Sequence, residues 1–276
     1  MKKKFLLIIA VYLILIFNSS CFFISPEVTT QEIKFRERNE TDELKIISPA
    51  GNITIHGWFK DIIDINTTKR LNSGFEVDLD LMQTITEKRE NSLTIINRIP
   101  ARVDGSIDME IFVPFYLFKI YIDSMNGDIS IEDYLGDIEL THNNGKIKFV
   151  FMGNLLRVNT YKSDSDITVR SYNACDMIIN KEDGDLNMTI EAVSSPSFLD
   201  IKTLNGDVSL FISPDCDHRL FLKNLERDIK INYDLSILFA AAQSKTIKLG
   251  RRGDDIENLS IDISTKNGKT ILNLLP

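Results

Sequence analysis

The chain has 276 residues, of which 43 % are hydrophobic and 26 % charged, an ordinary globular mixture that excludes general disorder. A formal net charge of −8 and a pI near 5.0 exclude the basic, phosphate-neutralising surface of a nucleic-acid binder. Three His and three Cys leave little material for metal or thiol chemistry.

Lys2, Lys3 and Lys4 precede an apolar run from Phe5 to Phe17, which Asn18, Ser19 and Ser20 break directly before Cys21. A charged start, a short apolar run and small residues at its end predict a secretory signal peptide over 1–20. The run is shorter than the roughly 18 apolar residues a spanning helix needs. An uncleaved anchor extended through Phe22, Phe23 and Ile24 is the alternative reading. The placement of Cys21 resembles a bacterial lipoprotein signal, whose cleavage leaves a diacylglyceryl-modified N-terminal cysteine. Asn18 stands where that signal usually has Leu. The resemblance implies lipidation at Cys21 and a membrane as partner, held through buried methylenes. Residues 21–42 are then the lipid anchor and a polar tether of mixed charge.

Residues 43–276 carry an internal repeat, which predicts a single β-repeat domain. Its units include Ala50-Gly51-Asn52-Ile53-Thr54-Ile55, Asn126-Gly127-Asp128-Ile129-Ser130-Ile131 and Asn144-Gly145-Lys146-Ile147-Lys148-Phe149. Asp164-Ser165-Asp166-Ile167-Thr168-Val169, Asp183-Gly184-Asp185-Leu186-Asn187-Met188 and Asn205-Gly206-Asp207-Val208-Ser209-Leu210 continue it. Glu226-Arg227-Asp228-Ile229 is a degenerate copy and Asn267-Gly268-Lys269-Thr270 a late one, while Gly136-Asp137-Ile138 falls half-way through one interval. Each unit is a turn that accepts positive φ, followed by the apolar–polar alternation of a half-buried strand.

The period is about twenty residues, in the range of solenoid repeats. The pattern predicts an all-β fold, a single-stranded β-solenoid or β-helix-like stack; a β-sandwich is the alternative. Each repeat is expected to stack on the one before it at about 4.8 Å, with stability supplied by neighbours. Ser236 to Lys245, with three successive alanines, interrupts the pattern as a short helix or an insertion.

Three pieces together resemble the bacterial "putative adhesin" family of envelope β-repeat proteins. They are Ile47 to Trp58, the join of Ile107–Pro114 to Lys119–Ile122, and the Asn-Gly-Asp-Ile repeats. The resemblance implies an exported binding domain, and it brings no catalytic residues with it.

Catalytic motifs are absent: there is no phosphate loop, no H-E-x-x-H and no G-x-S-x-G. His56, His142 and His218 lie in separate contexts and read as surface or turn residues. Asp166, Asp185, Asp207 and Asp228 share a phase in successive repeats and would form a column of like charges. Such a column either fans into water or holds a cation such as calcium. Cys175 and Cys216 share a phase two repeats apart, about 9–10 Å by strand spacing. That exceeds the roughly 7 Å limit for bridging, so two free thiols are expected. Trp58, Phe115, Tyr116 and Phe118 read either as core and cap or as the lining of a sugar groove.

The expected protein is a cell-envelope lipoprotein with a structural or adhesive, non-catalytic role and no cofactor. Its partner would be an envelope protein or glycan, with no nucleic acid. An envelope polysaccharide-acting enzyme and a periplasmic accessory or sensor protein are the alternatives.

Overall fold

The computed structural model describes residues 29–31, 37–38, 41–73, 76–171, 174–194, 196–224, 229–234, 236–241, 246–252 and 259–276. The signal peptide, Cys21 and Asp228 lie outside them. Among the described residues the chain is all-β and has no α-helix.

In chain order the first strands are β1 (Thr29–Gln31), β2 (Glu37–Arg38), β3 (Glu43–Ser48), β4 (Ile53–Trp58) and β5 (Ile62–Ser73). After a 3-10 turn come β6 (Gln83–Arg89), β7 (Ser92–Arg98), β8 (Asp104–Pro114), β9 (Lys119–Asn126) and β10 (Ile129–Glu132). The middle holds the long β11 (Asp137–Phe151) and β12 (Leu155–Arg170), then β13 (Asp176–Asp183), β14 (Leu186–Ala192), β15 (Ser197–Thr203) and β16 (Val208–Ile212). The last are β17 (His218–Asn224), β18 (Ile229–Ile231), β19 (Ser236–Ala241), β20 (Thr246–Arg252), β21 (Leu259–Thr265) and β22 (Thr270–Leu274).

Pairing follows two parallel, in-register series. The first runs β7, β3, β9, the first half of β11, the first half of β12, β13, β15, β21, β17. The second runs β8, β4, β10, the second halves of β11 and β12, β14, β16, β22, β18. β11 and β12 therefore turn through both series, and the sheet does not close on itself. Inward residues from both series meet in one core. Ile138, Leu140, Ile147, Phe149 and Phe151 of β11 are all essentially inaccessible, and each contributes about 1.5–3 kcal/mol by burial.

Spatial order departs from chain order at both ends. β3 and β4 lie between the later β7 and β8 on one side and β9 and β10 on the other. The last pair, β21 and β22, slips between β15 and β16 and the earlier β17 and β18. Stacking of each repeat on its predecessor thus holds only in the middle. Nearly identical repeats offer nearly identical edges, so the alternation does not specify which neighbour each one takes.

Antiparallel strands cover both ends. β5 pairs with β8 and β6 with β7; β20 pairs with β17, and β19 with β20. Exposed parallel edges invite pairing with other chains, and such hairpins block them. The segment read as a short helix or insertion is, over Ser236–Ala241, one of these covering strands. Residues 242–245 lie outside the described residues.

The turn glycines stack in a column at the bend between the two series. Gly206 has φ +120°, and a Cβ there would meet the Gly184 carbonyl oxygen at 2.0 Å. Only glycine combines that φ with so close a backbone approach.

Candidate functional site

Three residues before each turn, the inward position is polar. Asn97, Ser48, Ser124, His142, Thr160, Lys181, Thr203 and Thr265 occupy it in successive strands of the first series. All are at most 8 % exposed. The bend turns backbone carbonyls inward, and Asn97, His142, Lys181 and Thr265 meet them. Asn97 Nδ2 donates to the Ile107 carbonyl at 3.3 Å, His142 Nδ1 to Ser124 at 3.2 Å, and Thr265 Oγ1 to Gly268 at 3.2 Å. Lys181 Nζ donates to the Ser163 carbonyl and, at 2.8 Å, to Ser165 Oγ. Burial pushes the Lys181 amine down to about 8, against the opposing pull of Asp164 and Asp185. Burial likewise lowers His142.

Outside this buried column lies a groove of about 690 Å³ that crosses several strands. Thr141, Asn159, Asn180 and Lys202 are in register along it. Asn180 Nδ2 donates to Asn159 Oδ1 at 2.9 Å. Asn143, Tyr161, Glu182 and Leu204 complete the lining. Tyr161 and Leu204 are exposed, and Lys162 Nζ sits 5.3 Å from the Tyr161 ring centre. The groove therefore presents amides, hydroxyls, one lysine, one glutamate and one aromatic face at regular strand spacing, a surface suited to a hydroxyl-rich polymer.

The corner aspartates form a hydrogen-bonded ladder. The Asp185 amide donates to Asp164 Oδ1 at 3.0 Å, the Asp207 amide to Asp185 Oδ1 at 2.8 Å, and the Lys269 amide to Asp207 Oδ1 at 2.8 Å. Asp185 and Asp207 are thus brought together as expected. Asp166 stands two residues out of that column, beside Lys148 and Asn187. The run Ser163-Asp164-Ser165-Asp166 itself repeats every two residues, so a shift of two leaves its pattern unchanged. Lys269 takes the place beside Asp207 because β22 pairs there with β16. No group of three His, Cys, Asp or Glu among the described residues is arranged to hold a metal ion.

The three histidines lie apart. His56 is beside Glu110 and Glu132, at 3.7 and 3.4 Å, and stacks on Phe112. His142 belongs to the buried column. His218 Nδ1 donates to the Cys216 carbonyl at 2.8 Å, which leaves Nε2 to accept the Tyr233 hydroxyl at 2.8 Å. Cys175 and Cys216 are buried free thiols. β15 and β21 both lie between the strands that follow these cysteines.

No protein-family model matches the chain, and neither does any curated protein. Solved structures do resemble it. A "putative cell adhesion protein" from Clostridium sporogenes ATCC 15579 has 9 % identity and a TM-score of 0.41, covering 91 % of this chain and 100 % of that one. A "putative adhesin" from Parabacteroides merdae ATCC 43184 has 11 % identity and a TM-score of 0.36, with coverage of 91 % and 97 %. A "Putative lipid binding protein" from Parabacteroides distasonis ATCC 8503 has 11 % identity and a TM-score of 0.26, with coverage of 92 % and 98 %.

The groove was missed in the sequence, although a signal for its floor exists. The residue three places before each turn is Ser48, Ser124, His142, Thr160, Lys181, Thr203 or Thr265, never an apolar one.

Proposed function

We propose that this chain is a non-catalytic binding protein of the cell envelope, exported, cut before Cys21 and lipidated there. Its folded part winds as a β-solenoid and holds an extended, hydroxyl-rich polymer along the groove over Asn159, Tyr161 and Asn180. The single observation that carries the reading is the in-register row of amide and hydroxyl side chains beside Tyr161, open to solvent across several strands. The two parallel series support the solenoid winding, because in the middle of the fold each repeat pairs with the repeats before and after it.

The test is retention of the purified full chain on immobilised peptidoglycan and on neutral glucans. Tyr161→Ala and Asn180→Ala should each weaken retention about tenfold, the loss of roughly one buried contact. Retention unchanged by both variants would remove the groove from the reading. Release of sugar fragments would make the chain an enzyme. The intact mass of the membrane-extracted chain tests the anchor: a start at Cys21 with added acyl mass supports it, and a retained Met1 replaces it with an uncleaved helix.

A further inference from the structure

A second surface lies at the end of the stack where the N-terminal segment packs. Trp58 ends β4 and the turn after it carries Phe59 and Lys60, while the turn after β8 carries Phe115, Tyr116 and Phe118. The Phe59 and Phe115 rings are 4.9 Å apart, and Phe115 meets Tyr116 edge-on at 5.3 Å. The Leu135 amide donates to the Phe115 carbonyl at 3.0 Å, which brings a further apolar side chain alongside. Phe59 is 91 % exposed, Phe118 62 % and Tyr116 52 %. Large aromatics this exposed and this close together mark an interaction surface. Lys60 Nζ lies 4.4 Å from the Trp58 ring centre, and the Tyr116 hydroxyl donates to Asp61 Oδ1 at 2.8 Å. Apolar rings with a cation and a hydroxyl at their rim have the composition of a membrane–water interface.

The path of the chain selects the occupant. Arg38 pairs with Ile62, next to this patch, and Thr29 pairs with Lys69 further along β5. From Thr29 back to Cys21 is eight residues, a reach of at most about 29 Å. A lipid on Cys21 therefore holds this end of the stack, and not the far end capped by β19 and β20, within reach of the bilayer.

We infer that the Phe59–Tyr116–Phe118 patch docks on the lipid bilayer, seating the stack end-on against the membrane that anchors it. The inference rests on the anchored reading above. The two acyl chains of a diacylglyceryl anchor hold the protein at the bilayer; the patch fixes how the stack is oriented there.

Trp58 is the only tryptophan of the chain, so its fluorescence reports on this patch alone. The experiment reconstitutes the full, membrane-extracted chain into vesicles of phosphatidylethanolamine and phosphatidylglycerol with brominated acyl chains. Flotation reads anchoring, and quenching of Trp58 emission reads docking. The expected result is flotation with quenching, and loss of at least half that quenching in the double variant Phe59→Ser, Phe118→Ser, which still floats. Both residues are solvent-exposed, and an unchanged melting temperature checks that the variant is folded. Flotation without quenching overturns the inference while leaving the anchor intact. Failure to float removes the anchored reading and the docking with it.

Discussion

Lys181 and Ser165 meet inside the fold, Nζ to Oγ at 2.8 Å, where neighbouring strands are filled by hydrocarbon. Ser165 occupies the place that Ile147 and Leu186 hold in the strands on either side of it. The missing volume is what accommodates the lysine chain. A small hydroxyl thus stands where the flanking strands carry apolar side chains, and the lysine of the polar column reaches into the space it leaves.

Swapping one partner alone should cost more than swapping both. Ser165→Val leaves the buried amine one acceptor short and crowds its path, a loss of about 1–3 kcal/mol. Adding Lys181→Thr should recover most of it, giving a coupling of at least about 0.5 kcal/mol in a double-mutant cycle of urea denaturation. Additive losses would mean that the two side chains are independent.

The lysine also sets a pH dependence. Its amine titrates near 8 in the folded protein, against an ordinary 10.5. Between those values the unfolded chain binds the extra proton, so this group adds stability as pH rises from about 8 towards 10.5. Below about 8 its cost is fully present, on the order of 3 kcal/mol. Lys181→Met should therefore gain stability relative to the parent at pH 7 and lose that advantage by pH 10. Parallel melting curves of the two chains across this range would contradict the assignment.

Acid acts through two buried histidines. His142 and His218 are both lowered by burial. Below about pH 6.5 the unfolded chain takes up their protons first, and stability falls as pH falls. His142→Gln should flatten this acid limb. The readout is the urea midpoint at pH 7 and pH 5; an equal drop in parent and variant would rule His142 out as a contributor.

At the corner, Gly206→Ala should cost about 3 kcal/mol or more, from the disfavoured φ and the contact with the Gly184 carbonyl. Asp207→Asn keeps an oxygen for the Lys269 amide and should be close to neutral, while Asp207→Ala should cost about 1 kcal/mol. Thermal melts separate the three. The same melts with and without calcium test the cation reading: the amide-bonded ladder predicts no change, and a rise would assign a bound ion.

Much of this architecture is readable from alternation alone. Ile53, Ile129 and Ile147 are buried together at the first inward position, as their shared offset from the turn predicts. Ile167 is buried too, but level with Phe149 and not with Ile147. A two-residue slip keeps every inward side chain inward, so hydrophobicity cannot detect it. The polar column was legible in principle but ran against the expectation of an apolar interior. The aromatic patch was not, because a ring in a turn looks the same in sequence whether it faces the core or water.

The interleaved ends bear on how the molecule is completed. The place of β21 and β22, between strands that precede them in the chain, can be filled only after residues 259–274 have been made and delivered. Until then β15 and β16 have no partner on that side, and β17 with its hairpin cannot reach its final neighbour. A chain threaded across a membrane N-terminus first would reach the far side with its middle ready to fold and one gap still open. Its last repeat acts as a bolt shot home at the end, so shortened products of interrupted synthesis would lack the closing piece and stay open to proteolysis.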